Sequence, residues 1–138
     1  MKQTRHTLGG IGIIALLLMM TGCSSTKINF EGPPGTVMFV DNKPYHLPAQ
    51  VEMPRPSGPG NSNRYTVSLV STVQSQELRA KGHIDVFGYT ESDVDKLAPN
   101  ICNLDESHLS TVQRGTVVIF KGQSASRQPL YELTLAKQ

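Results

Sequence analysis

The chain has 138 residues, 38% of them hydrophobic, with 13 Lys+Arg against 11 Asp+Glu and two cysteines. Those figures fit one small domain and exclude a multidomain enzyme and a disulfide framework. A formal charge of +2 is too small for a nucleic-acid or anionic-lipid binder that works by counterion release.

The chain opens with Lys2 and Arg5 and no acid, and Leu8 to Met20 (LGGIGIIALLLMM) then runs without a charge. A basic start followed by an apolar stretch has the pattern of an export signal. Thirteen residues of helix rise about 20 Å, short of the ~30 Å hydrocarbon core, so a permanent span is not expected. Met20-Thr21-Gly22-Cys23 resembles the lipobox of bacterial lipoproteins, with Met20 where Leu is usual. Small Thr21 and Gly22 let an extended backbone enter a peptidase groove, and Cys23 supplies the sulfur for a thioether to diacylglycerol.

The resemblance implies removal of residues 1–22 and a triacylated, palmitate-bearing N-terminus at Cys23. Two or more acyl chains anchor stably, each buried CH₂ contributing about 0.8 kcal/mol. Ser24 after the cysteine implies sorting to the outer membrane, and a periplasm-facing domain is expected. Lys2 and Arg5 leave with the leader, so the remaining 116 of 138 residues hold 11 bases against 11 acids and are neutral. Cys102 is then the single thiol left, expected as a small buried hydrophobe.

Residues 23–35 read as a lipidated tether, with Gly32-Pro33-Pro34-Gly35 at its end and Ile28 and Phe30 pairing at a sheet edge. Residues 36–138 form the single β-rich domain. Seven of the nine prolines lie between positions 33 and 59, so this half holds no long helix and its strands are short or at edges. Thr36 to Val40 is a β-rich run stopped by Asp41-Asn42-Lys43-Pro44, and predicts a hairpin continuing into Gln50 to Met53.

Across residues 36–53, TVMFVDNKPYHLPAQVEM is similar to PEGA-type modules, small β domains of envelope proteins. Thr36 to Val40 matches the strand, Asp41-Asn42-Lys43 the acidic turn and Pro48 the later proline, while the usual glycines are missing. The similarity implies a β hairpin.

Pro54 to Asn63 (PRPSGPGNSN) is expected as the exposed, most mobile loop. Arg64 to Thr72 alternates, with Tyr65, Val67 and Leu69 on one face; period two means a strand with one buried face. Gln76 to Ala80 extends that pattern, and Gly82 to Tyr89 is a further strand, which sends Ile84 and Val86 one way and His83, Asp85, Phe87 and Tyr89 the other. Thr90 with Glu91, Asp93 and Asp95 marks a helix start whose acids complement the dipole, and Pro99 ends that helix. Asn103 to Arg114 predicts a second short helix with Gly115 as C-cap. Thr116 to Lys121 and Leu130 to Ala136 form the clearest hairpin.

These elements predict a mainly β (β-rich α+β) fold, a small antiparallel sandwich or partly open barrel with one or two short helices. His83 and Asp85 share a strand face and are the one pair that could seed a metal site or proton relay; a solvated cross-strand pair is the favoured reading. Gly122-Gln123-Ser124 lacks the closing glycine of a nucleophile elbow. No catalytic residue, metal or cofactor is therefore assigned, and the candidate binding surface is Tyr45, His46, Tyr65, His83 and Asp85. The expected role is a non-enzymatic, lipid-anchored envelope subunit of a secretion, pilus or polysaccharide machine, bound to an envelope protein or glycan and to no nucleic acid. The alternative is a small periplasmic inhibitor or a carbohydrate- or peptidoglycan-binding lipoprotein.

Overall fold

A computed structural model describes residues 25–89, 100–124 and 126–138. The leader, Cys23 and the helix expected after Thr90 lie outside the described residues. Strands β1 (Ser25–Glu31), β2 (Val37–Val40), β3 (Lys43–His46), β4 (Ala49–Pro54), β5 (Ser62–Val73), β6 (Gln76–Phe87) and β7 (Ile101–Asn103) precede helix α1 (Glu106–Gln113). Strands β8 (Val118–Gln123) and β9 (Pro129–Lys137) follow it. The fold is mainly β, as expected, and its two sheets run β4-β1-β7 and β3-β2-β5-β6-β9-β8. Among the described residues no helix is long and apolar enough to cross a membrane.

Period two builds the large sheet. In β5, Val67, Leu69, Ser71 and Val73 are buried, and in β6, Leu78, Ala80, Ile84 and Val86. The β5–β6 register aligns the two sets on one side, pairing Leu69 with Ala80 and Ser71 with Leu78, so one face of the ribbon is mostly apolar. The turn between them is two residues, Gln74 and Ser75, at φ 53° and 63°. Asp41 and Asn42, at φ 48° and 69°, close the β2–β3 hairpin in the same way. Two successive positive φ values define the turn whose twist matches the flanking strands. The hairpin expected to run from residues 36–40 into 50–53 is thus tighter: β2 pairs with β3, and β4 departs to the other sheet.

The segment read as a tether is the largest departure. Residues 25–31 form the central strand of the small sheet, antiparallel to β4 from Ser25↔Pro54 to Phe30↔Ala49 and parallel to β7. Ile28 and Phe30 are 0% and 1% exposed, so they are core residues rather than edge contacts. The Gly32–Gly35 stretch carries the chain from this sheet to the other. Thr36 fixes that crossing: its hydroxyl donates to Pro33 O at 2.7 Å and accepts from Ser71 Oγ at 2.8 Å.

The small sheet covers part of the large sheet's apolar face, and α1 packs against β5, β6, β8 and β9 to cover more. Asp105 caps α1, its carboxylate accepting from His108 N and Ser107 Oγ, both at 2.9 Å. These bonds hold the Asp105 carboxyl below its ordinary pKa. At the other end Gly115 (φ 90°) donates to Val112 O and Thr116 N to Thr111 O, the paired bonds of a glycine-ended helix. Leu104, Leu109 and Val112 are buried, whereas His108 is exposed, its ring centre 5.2 Å from that of Phe120 in an edge-on contact.

Gly122 stands opposite Tyr131, whose ring occupies the space a Cβ would need. Tyr131, 2% exposed, in turn reaches Ile101 O with its hydroxyl at 3.3 Å. That contact joins the large sheet to β7 of the small one.

Candidate functional site

The outward face of the large sheet carries a polar row. Register places Arg64 (β5) beside Asp85 (β6), Asp85 beside Glu132 (β9), and Glu132 beside Lys121 (β8). Arg64 grips Asp85 with two donors, Nε to Oδ1 at 2.9 Å and Nη2 to Oδ2 at 3.2 Å. That carboxylate raises the already high pKa of Arg64. Lys121 Nζ lies 3.7 Å from Glu132 Oε2. His83, two residues from Asp85 and hence on the same face, brings Nε2 to 3.7 Å from Asp85 Oδ2.

This geometry suits a surface ion-pair row better than a reactive centre. Both oxygens of Asp85 already accept from Arg64, and the separation from His83 exceeds hydrogen-bond length, so no aligned relay joins imidazole to carboxylate. Among the described residues no cluster of three or more His, Cys, Asp or Glu is placed to hold a metal ion.

The other candidates fall elsewhere. His46 is exposed on β3, the far edge of the same sheet. Tyr45 aligns with Met38 and Leu69, so it lies on the inward face, half-buried against the core, with Lys43 Nζ 5.6 Å from its ring centre. Tyr65 also faces inward, donating its hydroxyl to Pro54 O at 2.7 Å, and burial raises its pKa. Of the five residues, His83 and Asp85 come together, and Tyr65 joins the large sheet to β4 of the small one.

Two features escaped the sequence. Arg64, Glu132 and Lys121 carry the required signal, alternation with charges on the outward parity, but their alignment needs the strand register. The second is a shallow cleft of about 280 Å³ bordered by Asn29, Glu31, Pro48, Gln50 and Ile101. Gln50 Nε2 donates to Asn29 Oδ1 across it at 3.1 Å. It lies on the small sheet, which is invisible while β1 is read as a tether.

At the start of β1, Thr26 Oγ1 and Tyr89 Oη share a hydrogen bond of 3.3 Å, and the Arg55 guanidinium stacks 4.1 Å over the Tyr89 ring. The neighbouring loop 55–61 is held by backbone contacts. Gly88 N donates to Asn61 O at 2.9 Å, and a Cβ at Gly88 would strike Gly58 O.

Cys102 is 2% exposed on β7 and unpaired. Burial pushes its thiol up to about 12, only partly relieved by the Tyr131 hydroxyl. A thiol in that state is a packing group rather than a nucleophile. No family model, curated protein or solved structure matches the chain.

Proposed function

We propose that the chain is a lipid-anchored lipoprotein of the outer membrane, facing the periplasm, that serves as a non-enzymatic binding or assembly subunit of an envelope machine. The observation that carries this reading is the leader: two bases, thirteen uncharged apolar residues and Met20-Thr21-Gly22-Cys23 in immediate succession. Acyl chains on Cys23 supply the membrane affinity, and the β domain supplies the contacts. The ion-paired outward face of the large sheet supports a recognition surface, since its charges are fixed in register and set which partners fit.

The test is cross-linking of the tagged full-length protein in cells, followed by recovery from detergent extract. An envelope protein recovered with the wild type, and lost when Cys23→Ala releases the domain from the membrane, is the expected result. Native protein found in the soluble periplasm and unlabelled by a palmitate analogue sinks the reading.

The cleft at Asn29 and Gln50 favours a second reading, in which the partner is a glycan. Its amide and carboxylate rim matches a hydroxyl-rich ligand. Cosedimentation with purified peptidoglycan that Asn29→Ala abolishes is the expected outcome; no cosedimentation, or none lost, removes this version.

A further inference from the structure

The start of β1 fixes how an anchored domain stands on its membrane. Strand pairing begins at Ser25, opposite Pro54, and β1 is paired with β4 from Ser25 to Phe30 and with β7 from Asn29 to Glu31. Thr26, the second residue of the strand, is 2% exposed. The folded chain therefore reaches to within two residues of Cys23, a separation of at most about 7 Å between Cα atoms even when fully extended.

Acyl chains on Cys23 lie in the hydrocarbon, so the end of the sandwich where β1 starts is drawn to the headgroups. Register identifies what else lies at that end. It holds the close of β4, the start of β5 at Ser62 opposite Phe87, and the start of β9, where Tyr131 pairs with Val86. Among the described residues, loop 55–61 and the β8–β9 connection at Ser124 and residues 126–128 lie there. The stretches 54–63 and 123–129 contain Arg55 and Arg127 and no Asp or Glu, so no carboxylate in them opposes approach to an anionic surface. The opposite end carries the Gln74–Ser75 turn, the close of α1 and the crossing at residues 32–36.

We propose that the domain stands upright on the phospholipid surface, with loop 55–61 and the start of β9 against the headgroups and the Gln74–Ser75 end directed into the compartment. The contact is imposed by the short link rather than by charge, and it leaves the outward face of the large sheet upright and open at the side. The inference rests on the lipid anchor at Cys23 proposed above, and deepens it by naming which surface the membrane occupies.

The test uses full-length lipoprotein reconstituted in vesicles of phosphatidylethanolamine and phosphatidylglycerol that carry a headgroup nitroxide lipid. Single-site fluorophores are placed by Ser57→Cys and by Ser75→Cys; buried Cys102 stays unlabelled in the folded protein. Mass spectrometry of the same sample reports the acyl chains on Cys23. Severalfold stronger quenching at position 57 than at position 75 is expected. Equal quenching, or stronger quenching at position 75, in protein that carries its acyl chains overturns the orientation alone. Protein without acyl chains overturns the anchoring reading and this inference with it.

Discussion

Cys102 and Tyr131 make one buried pair whose chemistry is all on the alkaline side. Burial raises the thiol from 9.0 to about 12, and the Tyr131 hydroxyl is also pushed above its ordinary 10.0. The unfolded chain releases both protons at lower pH than the folded one does. Stability is therefore level with respect to these groups below about pH 9 and falls as pH rises through the window up to about 12. Urea unfolding followed from neutral to alkaline pH should show this loss, and Cys102→Ala should flatten its lower part; a stability unchanged to pH 11 would contradict the assignment. Thr36 is the second residue on which much depends. Thr36→Val strands the Ser71 hydroxyl in the core, at a cost of about 1–3 kcal/mol for an unsatisfied buried group. The double variant Thr36→Val with Ser71→Ala should lose less than the two single losses added together, because both partners of one bond are then gone. Denaturation midpoints of the three variants check this.

At the scale of elements, the two-residue turns divide into one the sequence announces and one it hides. Asp41-Asn42 are residues that tolerate positive φ, and the turn is legible. Gln74-Ser75 has no such mark, and only the apolar parity of β5 and β6 on either side points to it. Replacing Ser75 (φ 63°) by Gly removes a left-handed side-chain penalty that outweighs glycine's entropic cost, so Ser75→Gly should stabilise by roughly 0.5–1 kcal/mol, read in the thermal midpoint.

Period two made β5, β6 and the β8–β9 hairpin readable, and Gly115 marked the end of α1, whereas its N-cap, Asp105, went unmarked. β1 is hidden in the sequence for a physical reason. In STKINFE the buried positions include Thr26, a polar residue, and the Gly32-Pro33-Pro34-Gly35 run beside it suggested a linker, whereas it is a crossing between sheets. The candidate site was legible only as far as His83 and Asp85, since strand parity puts neighbours two apart on one face. The Arg64 grip on Asp85 and the Asn29–Gln50 cleft depend on register between strands distant in sequence, which local pattern does not carry.

For the whole molecule, the correction at β1 changes what an anchor at Cys23 would do. A flexible tether would let the domain sample orientations freely; with a strand beginning at Ser25, that anchor would couple the membrane directly to the sandwich, and the fold would set the face offered to partners. Anchoring of this kind requires Cys23 to be the processed, acylated N-terminus. Mass spectrometry of the N-terminal peptide of protein isolated from membranes tests it most directly. The predicted result is a chain that begins at Cys23 and bears a diacylglyceryl thioether and an N-acyl group. A chain that begins at any other residue, or an unmodified Cys23, would contradict it.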